Sequence, residues 1–160
     1  MKRSCKRISE SRSSLSAIMG PQEANVLGNV HGGVIMKMVD EAGALVAIRH
    51  AGNLVVTVAV DSMIFVQPIL VGYLVTCKAE LTYVGHTSME VRVEVSAENP
   101  LHGEPKTTNV GYVVYVAIDA EGKPTEVPEI EFETPEQEAR AELGKQRQAY
   151  RKQRRDLEKV

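Results

Sequence analysis

Four runs of this chain are strand-like, two of them alternating apolar and polar residues with period two, and only one long apolar helix is available to cover them. The cleanest run is SMEVRVEVSAE (88–98), where Met89, Val91, Val93, Val95 and Ala97 oppose Glu90, Arg92, Glu94, Ser96 and Glu98. YLVTCKAELTYV (73–84) repeats the pattern, with Val75, Cys77, Ala79, Leu81 and Tyr83 on one side. LVVTVAVDSMIFV (54–66) and TTNVGYVVYVAID (107–119) complete the set, separated by turns rich in Gly and Pro. Such alternation predicts antiparallel strands with one dry face and one wet face. A short strand is expected over 13–20. One strand, one central helix, then four antiparallel strands is an α+β layout.

The helix covers about residues 32–49, GGVIMKMVDEAGALVAIR. At 1.5 Å per residue it is about 27 Å long. Gly52 and Asn53 stop it, since both suit a left-handed cap. It is apolar around most of its circumference, which suits a sheet that wraps it on several sides. Lys37, Asp40 and Glu41 break that surface. Glu41 falls one turn above Lys37, so those two can form a local ion pair. Asp40 points about 100° away from Glu41 and is freer to face a cleft. A carboxylate on such a helix is paired, hydrogen-bonded or used in chemistry.

His31-Gly32-Gly33 stands at the N-terminus of this helix. Unpaired N–H groups and the positive end of the dipole meet there, and glycine admits close approach. The arrangement suits a developing oxyanion, although two glycines can also simply open a crowded helix. Asn25 and Asn29 lie in the preceding loop, where asparagine is common for turn reasons alone. His50, His86 and His102 are scattered, and no Ser/His/Asp triad assembles. No GxGxxG or P-loop pattern occurs.

The remaining composition bounds the setting. A length of 160 residues fits one domain that buries its own core. With no Trp and two Phe, that core is aliphatic. Cys5 and Cys77 are the only cysteines; a disulfide is not expected and nothing resembles a zinc site. A reduced, cytoplasmic location follows as an expectation. Residues 1–15 carry five basic and one acidic residue, residues 136–160 eight and five, and the overall charge is −2, so the middle is strongly acidic. That disfavours a nucleic-acid surface. No stretch approaches a membrane span, and the N-terminus lacks the apolar core of a secretory signal. Residues 1–12 read as a basic flexible tail, 13–130 as one domain, and 134–158 as a polar, basic surface helix opened by Thr134, Pro135 and Gln137.

The block ANVLGNVHGGVIMKMVDEAGALVAIRH, followed by VAVDSMIFVQPILVG and AELTYVGHTSMEVRVEV, resembles the hotdog-fold acyl-CoA thioesterases. The similarity is to the cytosolic, brain-type acyl-CoA hydrolases and their single-domain bacterial relatives, and it covers about residues 13–130. It implies a hotdog fold, an antiparallel sheet around a long central helix. It implies homodimers whose sheets join, with shared active sites, often assembled further into hexamers as trimers of dimers. It implies hydrolysis of acyl-CoA, with Asn25 and Asp40 as the catalytic pair drawn from opposite protomers. Asp40 then serves as general base or nucleophile, Asn25 orients the carbonyl or the water, and His31, Gly32 and Gly33 position the substrate and its oxyanion. Arg49, Lys106 and the basic C-terminal run, Lys145 to Arg155, are candidates for binding the CoA phosphates. Coenzyme A is part of the substrate, and neither a cofactor nor a metal is expected. Two alternatives are a non-catalytic acyl-CoA sensor, which a helix-turn-helix region would accompany, and a dehydratase, which needs a histidine that the helix body lacks.

Overall fold

The computed structural model describes residues 3–158. Its elements in chain order are β1 (Cys5–Arg7), β2 (Ser13–Ile18), α1 (Gly32–Ala51), β3 (Leu54–Phe65), β4 (Leu74–Val84), β5 (Ser88–Glu98), β6 (Lys106–Ile118), β7 (Glu129–Glu131) and α2 (Pro135–Leu157). Five strands form one antiparallel sheet in the order β2-β4-β5-β6-β3. The four strand-like runs thus become strands within one residue of their expected limits. The helix stops where expected, with Gly52 in the left-handed region at φ 67°.

The dry face of the sheet carries Val75, Cys77, Ala79 and Leu81 of β4, Met89 to Val95 in alternation on β5, and Val113, Tyr115 and Ala117 of β6. Against it α1 packs Ile35, Val39, Ala42 and Val46, all fully buried. Within one chain the sheet covers only part of the helix, rather than several sides. Met36, Lys37, Glu41, Leu45 and Ile48 remain exposed, and half-buried Asp40 and Ala44 lie on the same stripe. These positions recur at three- and four-residue spacing, so they mark one uncovered face.

The outer face is not simply wet. Helix α2 lies across it, and Glu90, expected to face water, is completely buried. Arg147 and Arg151 of α2 reach its carboxylate at 2.7 and 2.9 Å, and the Thr82 hydroxyl donates to it at 2.7 Å. Burial acts to raise the Glu90 pKa, but these donors outweigh it and hold the carboxyl below its usual range. The basic run of α2 is therefore in part committed to the sheet. Arg151 also pairs with Asp61 of β3 at 2.8 Å.

The described part of residues 1–12 is packed rather than a flexible tail. β1 pairs in parallel with β7, Ile8 is buried in the core, and Arg3 donates to the carbonyls of Gly85 and Val127. This small sheet closes over the end of α1, where buried His50 holds the Pro128 carbonyl at 2.9 Å through Nε2. Burial, with the charges of Lys6 and Arg3, lowers the His50 pKa, although the Pro128 bond and Glu10 oppose this. The unfolded imidazole takes a proton near pH 6.5, the folded one only below that. The unfolded state thus binds more protons in between, and the stability carried by neutral His50 is complete above about pH 6.5 and lost as pH falls through it. A His50→Gln chain is expected to show a smaller drop in Tm between about pH 7.5 and 5.5 than the parent; an equal drop contradicts this assignment. No helix among the described residues is long and apolar enough to cross a membrane.

Candidate active site

Asp40 sits mid-way along α1 on its uncovered face. Oδ1 of its carboxylate accepts a hydrogen bond from the Thr57 hydroxyl of β3 at 2.8 Å. The Tyr115 hydroxyl of β6 donates to the Asp40 carbonyl at 2.9 Å and lies 3.2 Å from Oδ1. Burial, with the Asp40 charge and hydrogen bond, pushes the Tyr115 pKa far above its usual value, so the phenol stays protonated. Oδ2 has no partner among the described residues. Neither Thr57 nor Tyr115 stood out in the sequence, because each reads as one more residue of an alternating strand. Lys37 and Glu41 form the expected local pair at 3.6 Å, exposed on both sides.

Asn25 occupies a tight loop. Its N–H donates to the Asn29 carbonyl at 2.7 Å, and its Oδ1 accepts from the N–H groups of Leu27 and Asn29 at 2.9 and 3.2 Å. Two donors on one side-chain atom identify it as the oxygen, and Nδ2 is left to donate elsewhere. Asn25 and Gly32 border a cavity of about 340 Å³ with Ile35, Phe65, Pro68 and Ile69. Gly32 faces the Phe65 ring, where an added Cβ would lie 3.4 Å from it.

The helix N-terminus departs from expectation in one detail. His31 caps α1, and its Nδ1 accepts the Gly33 N–H at 2.9 Å. The Val34 N–H goes to the His31 carbonyl. Gly33 is thus spoken for by its own cap, and the Gly32 N–H is the one without a partner among the described residues. The His-Gly-Gly step held the signal, since an unprotonated imidazole nitrogen is a competent cap acceptor.

Asp40 lies eight residues beyond Gly32, about 12 Å along the axis, and does not line the Asn25 cavity. One chain therefore does not bring the two together. Nor does it unite Arg49 and Lys106. Arg49 lies in the last turn of the helix, at the opposite pole, where it donates to the Arg12 carbonyl and borders a pocket with Lys78, Arg92 and Arg140. Lys106 begins β6 near the Phe65 end. Cys77 is buried with its thiol pushed up to about 11 by burial, which leaves it a poor nucleophile. Among the described residues no three His, Cys, Asp or Glu side chains group to hold a metal ion.

The Thioesterase superfamily model matches residues 27–103. The cytosolic acyl coenzyme A thioester hydrolase of Rattus norvegicus is 37% identical over 142 residues, a match that takes in 88% of this chain. The chain spans only 37% of the length of that relative. Among solved structures, an apo-hexameric acyl-CoA thioesterase superposes with a TM-score of 0.89 at 35% identity, covering 94% of this chain and 97% of that one. The acyl-CoA hydrolase of Staphylococcus aureus, in complex with butyryl coenzyme A, coenzyme A and coenzyme A disulfide, gives 0.88 at 33% identity, with 96% and 93% covered. That hydrolase has also been solved with alanine in place of an Asn, an Asp or a Thr. From Asn to Asp and from Asp to Thr, its substituted positions are 15 and 17 residues apart, the spacing of Asn25, Asp40 and Thr57 here.

Proposed function

The chain belongs to the thioesterase superfamily, and from that premise we propose that it hydrolyses fatty acyl-CoA to free fatty acid and coenzyme A. The observation that carries the reading is the Asp40 carboxylate, half-buried on the uncovered face of α1, with Oδ1 anchored by hydroxyl donors and Oδ2 without a partner among the described residues. In this mechanism Oδ2 takes a proton from water as the water oxygen bonds to the thioester carbon. The carbonyl oxygen becomes an oxyanion, held by Asn25 Nδ2 and the Gly32 N–H. Collapse breaks the C–S bond, and the leaving coenzyme A thiolate takes the proton held on Asp40 Oδ2, which restores the carboxylate. No cofactor or metal is needed for these steps.

The site is completed by a second copy in this proposal, with Asn25 from one protomer and Asp40 from its partner. The free edge of the sheet supports it. Val56, Val58 and Val60 of β3 are 42%, 53% and 46% exposed, and Val26 and Leu27 at the Asn25 loop tip are exposed too. Such a contiguous apolar edge calls for a partner. β3 edges that pair about a two-fold axis join two sheets, and three such dimers make a hexamer. A cytoplasmic location accompanies this reading.

Thiol release from acyl-CoA esters of graded chain length, followed with a thiol reagent, tests it. Turnover with at least one chain length is expected. Tight binding with no release at any length rejects hydrolysis and favours the sensor.

A further inference from the structure

We propose that Tyr115 is a positioning residue for Asp40, acting with its cross-strand neighbour Thr57 to fix which carboxylate oxygen faces the substrate. The proposal rests on the reading of Asp40 as the base. In the register of β3 against β6, Thr57 stands directly opposite Tyr115. Residues so paired project to the same side of a sheet. Here both project onto α1, and their hydroxyls converge on one atom, Oδ1 of Asp40.

Tyr115 has no other use for its hydroxyl. The ring is fully buried on β6, in a core otherwise filled by aliphatic side chains. A buried hydroxyl without a partner is costly, and a phenylalanine would fill the same space without that cost. The hydroxyl is satisfied only at Asp40, through the carbonyl at 2.9 Å and Oδ1 at 3.2 Å. Its proton is not on offer for chemistry, because burial and the adjacent carboxylate keep the phenol un-ionised.

The helix is shaped for this contact. Gly43 lies one turn beyond Asp40, in the interior of α1, where glycine weakens a helix. A Cβ there would collide with the Tyr115 hydroxyl oxygen and crowd its ring carbons at 3.1 and 3.2 Å. The glycine thus gives the hydroxyl its path to Asp40. A terminal carboxylate torsion is otherwise soft. The Thr57 proton and the Tyr115 proton, which is shared with the Asp40 carbonyl, hold Oδ1 in one orientation, and Oδ2 is left without a partner among the described residues.

The test compares Tyr115→Phe, Thr57→Val, Thr57→Ser, Asp40→Asn and the exposed control Tyr150→Phe in one acyl-CoA thiol-release assay, with a thermal melt of each. Tyr115→Phe is expected to fold and to lose about tenfold in kcat, the scale of one hydrogen bond to a charged group, with KM within about twofold. Thr57→Val is expected to lose kcat similarly and Thr57→Ser to recover it. Tyr150→Phe is expected to match the parent. Wild-type kcat in Tyr115→Phe, or a loss confined to KM, overturns the inference while an inactive Asp40→Asn leaves the Asp40 reading standing. An active Asp40→Asn overturns both. Should Tyr115→Phe not fold, Gly43→Ala keeps the hydroxyl but displaces it, and an unchanged kcat in that chain overturns the inference equally.

Discussion

Asp40→Asn is expected to lose at least about 100-fold in kcat for acyl-CoA hydrolysis, the usual scale for removal of a general base. The substitution keeps the size and shape of the side chain. Its amide oxygen can still accept from Thr57 and Tyr115, the two donors on Oδ1. What changes is the outward atom: an NH2 group stands where Oδ2 was, and it donates protons rather than accepting them. Fold and substrate affinity are therefore expected to survive while turnover does not. Steady-state kinetics at saturating acyl-CoA, beside a thermal melt, separate the two. Near-parental kcat would remove Asp40 from the chemistry. Glu41 is a poor heir to the role, since it is exposed and paired with Lys37.

The strands and the helix were legible because each carries its own period. Met89 to Val95 alternate in sequence as they do in burial, and Gly52 caps α1 where a left-handed residue was needed. What sequence order could not carry was long-range pairing of polar groups. Glu90 sits in an alternating strand like any wet-face acid, and only the arrival of α2, with Arg147 and Arg151, makes it a buried ion. Residues 5–7 hold no strong strand pattern, and they become a strand only because β7 lies beside them. At the proposed site, Asn25 and Asp40 were singled out through family resemblance, not through periodicity. Thr57 and Tyr115 were not, since their shared contact with Asp40 comes from the register that sets them opposite each other across β3 and β6. The expectation that the sheet wraps α1 on several sides is met within one chain on one face only. Met36, Leu45 and Ile48 stay exposed beside Asp40, on the face that a second copy would meet.

The central claim is that each active site takes Asn25 from one protomer and Asp40 from its partner, and subunit mixing tests it most directly. Asn25→Ala and Asp40→Asn homo-oligomers should each be nearly inactive, because every site carries one lesion. Refolded together, half of the dimers at random pairing are heterodimers. Each heterodimer holds one site with both lesions and one site with neither. Activity should then return to about a quarter of the parental value, given independent sites and random pairing. If instead both residues of a site belong to one chain, every site in the mixture keeps a lesion and nothing returns. Recovery near a quarter, with exchange verified by a tag on one chain, is the predicted result; full exchange with no recovery would contradict the shared site.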